Sequence, residues 1–220
     1  MISNKHVFRD SSGRLDPIGV VIIKLNRKKA DGTPDFGNIN TFVQVGLENL
    51  FDHPDPKIDL TCLDVSDIIH ADAFHKHLHE DLLKPINYDK VAAGKDVIFI
   101  GYPNDRYDLA NNLPLIRKGS IASMPNVDFN GRGQVVIDAQ VFPGSSGSPV
   151  FVDWDNKYAL LGVVSQTMIR DSKLEILPAN MPQLGVQEVI GLGIVIKQKH
   201  VRELIDHTTN EIKKRVSPNS

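Results

Sequence analysis

Ile137-Asp138-Ala139-Gln140-Val141-Phe142-Pro143-Gly144-Ser145-Ser146-Gly147-Ser148-Pro149-Val150 is the stretch from which the rest of the chain is best read. An apolar strand runs into a Gly-Ser-Ser-Gly turn, and Pro149 opens the next strand. Glycines on both sides of the serine pair permit a sharp bend without a Cβ clash. In such a bend the N–H groups of Gly144 and Ser146 can point into one small space beside the Ser146 hydroxyl. A hydroxyl next to two convergent donors is what acyl transfer needs: a nucleophile and an oxyanion hole. The competing reading is a plain flexible turn. Gly/Ser linkers, however, are not normally set between two apolar strands. A lipase-type G-x-S-x-G elbow is excluded, because Ser148 stands where its second glycine belongs.

Around this turn, short β-type segments recur between Gly, Pro and Asn signals. Ile18–Leu25, Thr41–Leu47 and Ile58–Cys62 come first. Asp96–Ile100, Leu115–Ala122, Gln134–Val141, Pro149–Val152, Ala159–Gln166 and Val189–Ile196 follow. Asn130-Gly131 and Asp155-Asn156 sit where hairpin turns are needed. Six strands can close a small barrel, whereas three leave open edges. Between the two groups, Ser66–Pro85 is His- and Asp-rich with a partly helical pattern, and reads as a connection. Gln198–Val216 places Val201, Leu204, Ile205, Thr208, Ile212 and Val216 on one stripe, which predicts an amphipathic helix. Ser217–Ser220 is expected to fray. The expected fold is therefore all-β with a C-terminal helix. Residues 1–85 form a partial N-terminal barrel with the connection, and 86–220 form the C-terminal barrel and helix.

Composition narrows the function. Of 220 residues, 41% are hydrophobic and 24% charged, the make-up of a globular chain. The net charge of −2 does not recommend a nucleic-acid binder, and Arg27-Lys28-Lys29 before Asp31-Gly32 reads as a solvated turn. No apolar run approaches the roughly 18 residues of a membrane span. The residues Met1 to Lys5 carry no signal-peptide core. Cys62 is the single cysteine, which excludes an internal disulfide framework and a multi-Cys zinc site. It fits a reducing, cytoplasmic setting, with the periplasm as the alternative if an upstream signal is missing.

A serine is a weak nucleophile until a base takes its proton and a carboxylate orients that base. Among the 8 histidines, His6 lies in Ile2 to Phe8, which reads as the end of an apolar strand passing into a short turn. Asp59 lies in Lys57-Ile58-Asp59-Leu60-Thr61, where period 2 sets it on the face opposite Ile58 and Leu60. Alone, each also reads as an ordinary surface residue. Asp64 and Asp67 compete with Asp59, whose neighbours favour it. His75, His77 and His79 beside Glu80 admit a metal site if helical, against the plainer reading of a solvated connection.

Asn4-Lys5-His6-Val7, Asp59-Leu60, Gly101-Tyr102-Pro103, Gly119-Ser120-Ile121, Asp138-Ala139, Pro143 to Val150, Gly162-Val163-Val164-Ser165 and Gly191-Leu192-Gly193-Ile194 occur in that order. Together they resemble the disulfide-free trypsin-like serine peptidases of bacteria and organelles, including the HtrA type, from residue 2 to about residue 205. The resemblance implies two six-stranded barrels with the site in the cleft between them. It implies His6 as general base and acid, Asp59 as its orienting carboxylate and Ser146 as nucleophile. The N–H groups of Gly144 and Ser146 become the oxyanion hole. Val164-Ser165-Gln166 becomes the strand that pairs with a bound peptide. Gln140 takes the floor of the specificity pocket, with Thr167 and Ile194 lining it. A neutral Gln140 argues against a strong Arg or Lys preference. The implied partner is a polypeptide, with no metal or organic cofactor and no oligomeric state specified.

Two departures from the family stand out. Some thirty or more residues normally precede the histidine, against five here, so the first barrel is expected to be incomplete and His6 poorly held. No PDZ-like module follows residue 216. The leading expectation is a serine endopeptidase. A protease-derived, inactive peptide-binding module is the alternative, and an esterase using the same triad is a third reading.

Overall fold

The computed structural model describes residues 1–10, 12–15, 19–67, 69–103, 106–142, 144–155, 157–174 and 184–216. Its strands are β1 (Ile2–Ser3), β2 (Val20–Lys28), β3 (Pro34–Val45), β4 (Leu50–Asp52), β5 (Thr61–Leu63), β6 (Asp96–Gly101), β7 (Leu115–Ile121), β8 (Gln134–Asp138), β9 (Pro149–Trp154), β10 (Lys157–Leu174) and β11 (Leu184–Lys197). A single long helix, α1 (Gln198–Val216), follows with the bounds its apolar stripe predicts.

β6 to β11 close into one antiparallel barrel in the order β10-β11-β8-β7-β6-β9. Inward alternation fills it: Val97, Phe99, Ile121, Val135, Ile137, Val150, Val152, Leu161 and Val195 are buried in one cluster. All six strands expected after the connection are found. β10 and β11 run longer than expected, pairing out to Leu174↔Leu184. Arg170-Asp171-Ser172-Lys173 has no apolar alternation, so ladder bonding extends the ribbon where no pattern signals it. Asp155 takes φ +54° between the paired Trp154 and Lys157, as a tight hairpin turn requires. Asn156, Ile18 and the tail 217–220 lie outside the described residues.

β10 crosses β11 closely. A Cβ on Gly162 would run into the Ile196 carbonyl and the Val195 side chain. Gly162→Ala is therefore expected to destabilise the barrel by about 1–3 kcal/mol, seen as a lower urea midpoint with an unchanged slope.

The first half departs from the expected three strands: five are described, in two open sheets, β1-β5-β4 and the β2-β3 hairpin. β1 and β4, at 2 and 3 residues, are too short for a period-2 pattern to register. The strand expected at Ile58–Cys62 begins at Thr61, but the alternation holds ahead of it, with Ile58 and Leu60 buried. These two side chains join Phe151, Leu160, Val163, Ile196, Val201 and Leu204 in a second apolar cluster. The first half is thus packed on the outer face of the barrel and on α1.

The expectation that His6 is poorly held is overturned. The Met1 ammonium donates to the Leu63 carbonyl (2.7 Å), and the Leu63 N–H returns a bond to the Met1 carbonyl (2.8 Å). Ile2 and Ser3 pair with Cys62 and Thr61. This ladder pairing fixes the approach to His6. The helical pattern expected over Ser66–Pro85 shrinks to one 3₁₀ turn, Glu80–Leu83, capped by the His79 ring on the Asp81 N–H. His75 and His79 therefore share no helical face.

Candidate active site

His6 lies on a 3₁₀ turn, Lys5–Phe8, directly after β1. Asn4, fully buried, donates from Nδ2 to the Asp59 carbonyl (2.7 Å). The His6 backbone N–H donates to Asp59 Oδ1 (3.2 Å). The two segments are therefore braced before their side chains meet. His6 Nδ1 then contacts Asp59 Oδ2 at 2.6 Å, and His6 Nε2 lies 3.0 Å from Ser146 Oγ.

Ser165 closes the network from behind. Its hydroxyl donates to Asp59 Oδ2 (3.0 Å), and its carbonyl, 3.2 Å from Ser146 Oγ, is the alternative acceptor to His6 Nε2 for the one Ser146 hydroxyl proton. Burial pushes the Asp59 carboxyl up, but bonds and charge from His6, with the Ser165 bond, outweigh it and hold it below the ordinary value. The bond to Asp59 raises the His6 pKa above its ordinary 6.5, against a smaller lowering by burial. An ionised Asp59 keeps the neutral ring's proton on Nδ1 and leaves the Nε2 lone pair facing Ser146.

Gly144 at φ +83° and Gly147 at φ +84° bend the turn that carries Ser146. Both angles favour glycine. The Gly147 N–H donates to the Val164 carbonyl and the Val164 N–H to the Ser148 carbonyl, each at 2.9 Å, which ties the turn to β10. Among the described residues, the Gly144 and Ser146 N–H groups have no acceptor. Two open donors thus flank the hydroxyl. Pro143 lies outside the described residues.

The remaining site candidates fall around this centre. Val164 is buried, and past Val163↔Pro149 its strand pairs with β11 alone. Gln166 and Gln140 are exposed. Thr167 Oγ1 donates to the Val141 carbonyl (3.0 Å), which sets it beside Gln140, and Ile194 pairs across the ladder with Gln166. Ser165 differs most from expectation, because its side chain serves Asp59 rather than an incoming peptide. Asp64 accepts from Ser66 instead of reaching His6, and Asp67 has no bond to it. Sequence reasoning missed the brace from Asn4 and the contact of Arg117 with Ser145. Neither carries a spacing signal, since a buried amide and a strand arginine acquire their roles only through packing.

Among the described residues, one group gathers metal-type ligands: His53, His200 and Glu203. Both ring nitrogens of His53 are engaged without an ion, while His200 Nε2 is buried without a partner among the described residues. The Asp55 N–H donates to His53 Nδ1 (3.1 Å), so His53 Nε2 carries the proton given to Glu203 Oε2 (3.2 Å). His200 Nδ1 meets the same oxygen at 2.7 Å. A metal on His53 Nε2 would force a proton onto Nδ1, against the Asp55 N–H.

A six-stranded antiparallel barrel, an imidazole between a carboxylate and a hydroxyl, and two open amides define a protein of the trypsin-like class. The chain belongs to the trypsin-like peptidase domain family, whose model matches residues 1–163. A solved structure titled "Atomic resolution structure of HBP" is similar at 14% identity, covering 95% of this chain and 80% of that one with a TM-score of 0.50, which speaks to the fold alone. No curated protein matches the chain. The family is one of proteases, hydrolases acting on polypeptides. No helix among the described residues is long and apolar enough to cross a membrane.

Proposed function

We propose that the chain is a serine endopeptidase that cleaves peptide bonds through an acyl-enzyme on Ser146. The contact that carries this reading is His6 Nε2 to Ser146 Oγ, 3.0 Å, with Nδ1 of the same ring on Asp59. His6 takes the hydroxyl proton as Ser146 attacks the scissile carbonyl. The charge that develops on the carbonyl oxygen falls to the N–H groups of Gly144 and Ser146. His6 then gives its proton to the departing amine, which leaves the acyl ester on Ser146. Water, deprotonated by His6, attacks that ester, and the proton returns to Ser146 as the acid product leaves. None of these steps calls on a metal or organic cofactor. The free edge of β10 beyond Val164 receives the extended substrate as an added strand. Gln140, Thr167 and Ile194 line a neutral pocket for a small or apolar side chain.

A fluorophosphonate probe tests the reading. Labelling mapped to Ser146 by mass spectrometry is the expected result. A protein that binds extended peptides yet resists the probe would be a peptide-binding module instead.

The pH dependence follows from His6. The base must be neutral, and Asp59 raises its pKa. kcat/KM is therefore expected to rise through an inflection above pH 6.5, as His6 loses its proton, and to fall below it. A rate independent of pH between about 5 and 8 would remove His6 from the role of base.

A further inference from the structure

Arg117 stands on β7 with its Cζ 4.2 Å above the ring of Phe99, a fully buried residue of the neighbouring strand. Burial lowers its pKa, and among the described residues no carboxylate acts on it and its buried Nε has no acceptor. A guanidinium stays charged in proteins, and withdrawing it from water with no counter-ion is unfavourable. Its two remaining nitrogens both go to one short segment. Nη1 donates to the Gln140 carbonyl (3.0 Å), and Nη2 donates to Ser145 Oγ (3.1 Å). Gly101 on the neighbouring strand leaves room for Ser148, whose Oγ a Cβ there would meet.

Ser145 sits between the two open donors and is 1% exposed. Its N–H is held by the Phe142 carbonyl (3.0 Å), its carbonyl by the Ser148 N–H (3.1 Å) and its hydroxyl by Arg117. The first two bonds lie within the turn and would move with it. The third is, among the described residues, the direct side-chain bond from Ser145 to a barrel strand, beside the backbone route through Ser148 and Val164. The peptide from Ser145 to Ser146 carries the Ser146 N–H, so the orientation of Ser145 fixes where that donor points. A flexible Gly-Ser-Ser-Gly turn with glycines at both bends has little stiffness of its own.

We propose that Arg117 is the positioning residue of the oxyanion turn, a two-pronged clamp that fixes the Ser146 N–H by gripping Gln140 at one end of the turn and Ser145 near its tip. The proposal rests on the serine-hydrolase reading above. Removing one oxyanion donor outright typically costs about 10²–10³ in kcat; loosening its support should cost less, about 10- to 100-fold.

The test compares wild type, Arg117→Met and Arg117→Lys, with thermal melts to confirm folding. Fluorophosphonate labelling rates and kcat and KM on a peptide substrate are measured for each. Arg117→Met is expected to label and turn over about 10- to 100-fold more slowly at nearly constant KM, with added guanidinium restoring part of the rate. Lysine offers a single ammonium in place of the fork, so Arg117→Lys should fall between the two. A folded Arg117→Met that labels at the wild-type rate overturns the clamp, as does a loss confined to KM. Wild-type protein that resists the probe overturns the hydrolase reading itself, and the clamp with it.

Discussion

Ser146→Ala is expected to lower kcat on a peptide substrate by about 10⁴ to 10⁶ while leaving the fold intact. Among the described residues, the hydroxyl's hydrogen-bond partners are the His6 ring and the Ser165 carbonyl. Ser146 is half-buried in a turn held by the bonds of Ser145, Gly147 and Ser148, none of which uses its side chain. Alanine removes the nucleophile and nothing that holds the backbone, so the melting temperature should stay within about 2 °C of wild type. The Gly144 and Ser146 N–H groups remain open in the variant. It should therefore still bind peptides and still stabilise an oxyanion, which leaves about 10³ over uncatalysed hydrolysis. The checks are steady-state kinetics on a chromogenic peptide and loss of fluorophosphonate labelling. Retention of more than a tenth of the wild-type rate would mean that another group performs the attack.

What sequence alone could reveal, and what it could not, divides by physical cause. The barrel was legible because β6 is apolar from Val97 to Ile100, β8 from Val135 to Ile137 and β9 from Val150 to Val152, short, mostly buried runs bounded by polar or turn residues. The helix was legible because Val201, Leu204 and Thr208 repeat at helical spacing, although Val216 at the end of the stripe is 77% exposed. The turn at Ser146 was legible because glycines at φ +83° and +84° leave a compositional trace. The pairing of His6 with Asp59 needed the family resemblance, since no local pattern joins residues so far apart in sequence. β1 left only a trace, the strand end and turn read at Ile2–Phe8, because its two residues gain their stability from β5 and from the bonds between Met1 and Leu63. For the same reason, the short stretch before His6 gave a misleading picture of how firmly it is held. Ser165 and Arg117 act through contacts formed only when β10 and β7 reach the turn. Tertiary packing assigns such roles, and residue type does not announce them.

Asp59→Asn should reduce kcat by about 10⁴ through the tautomer of His6 rather than through any change of position. The carboxylate accepts three bonds, from His6 Nδ1 and Ser165 Oγ at Oδ2 and from the His6 backbone N–H at Oδ1. An amide has one accepting oxygen and one donating nitrogen. If its oxygen keeps the imidazole, its NH₂ faces the His6 backbone N–H, donor against donor. Turning the amide over satisfies that backbone N–H, but then the NH₂ donates to His6 Nδ1. The ring's proton must move to Nε2, where it faces Ser146 and cannot accept. The backbone bond therefore selects the unproductive arrangement. The same substitution removes the hydrogen bond that is the largest cause of the raised His6 pKa and leaves burial, which lowers it. The inflection in kcat/KM should accordingly move to lower pH in the variant. A rate-against-pH profile for both proteins checks the two effects together. An Asn variant that stays within tenfold of wild type, or whose inflection moves to higher pH, would show that His6 draws its orientation from some other acceptor.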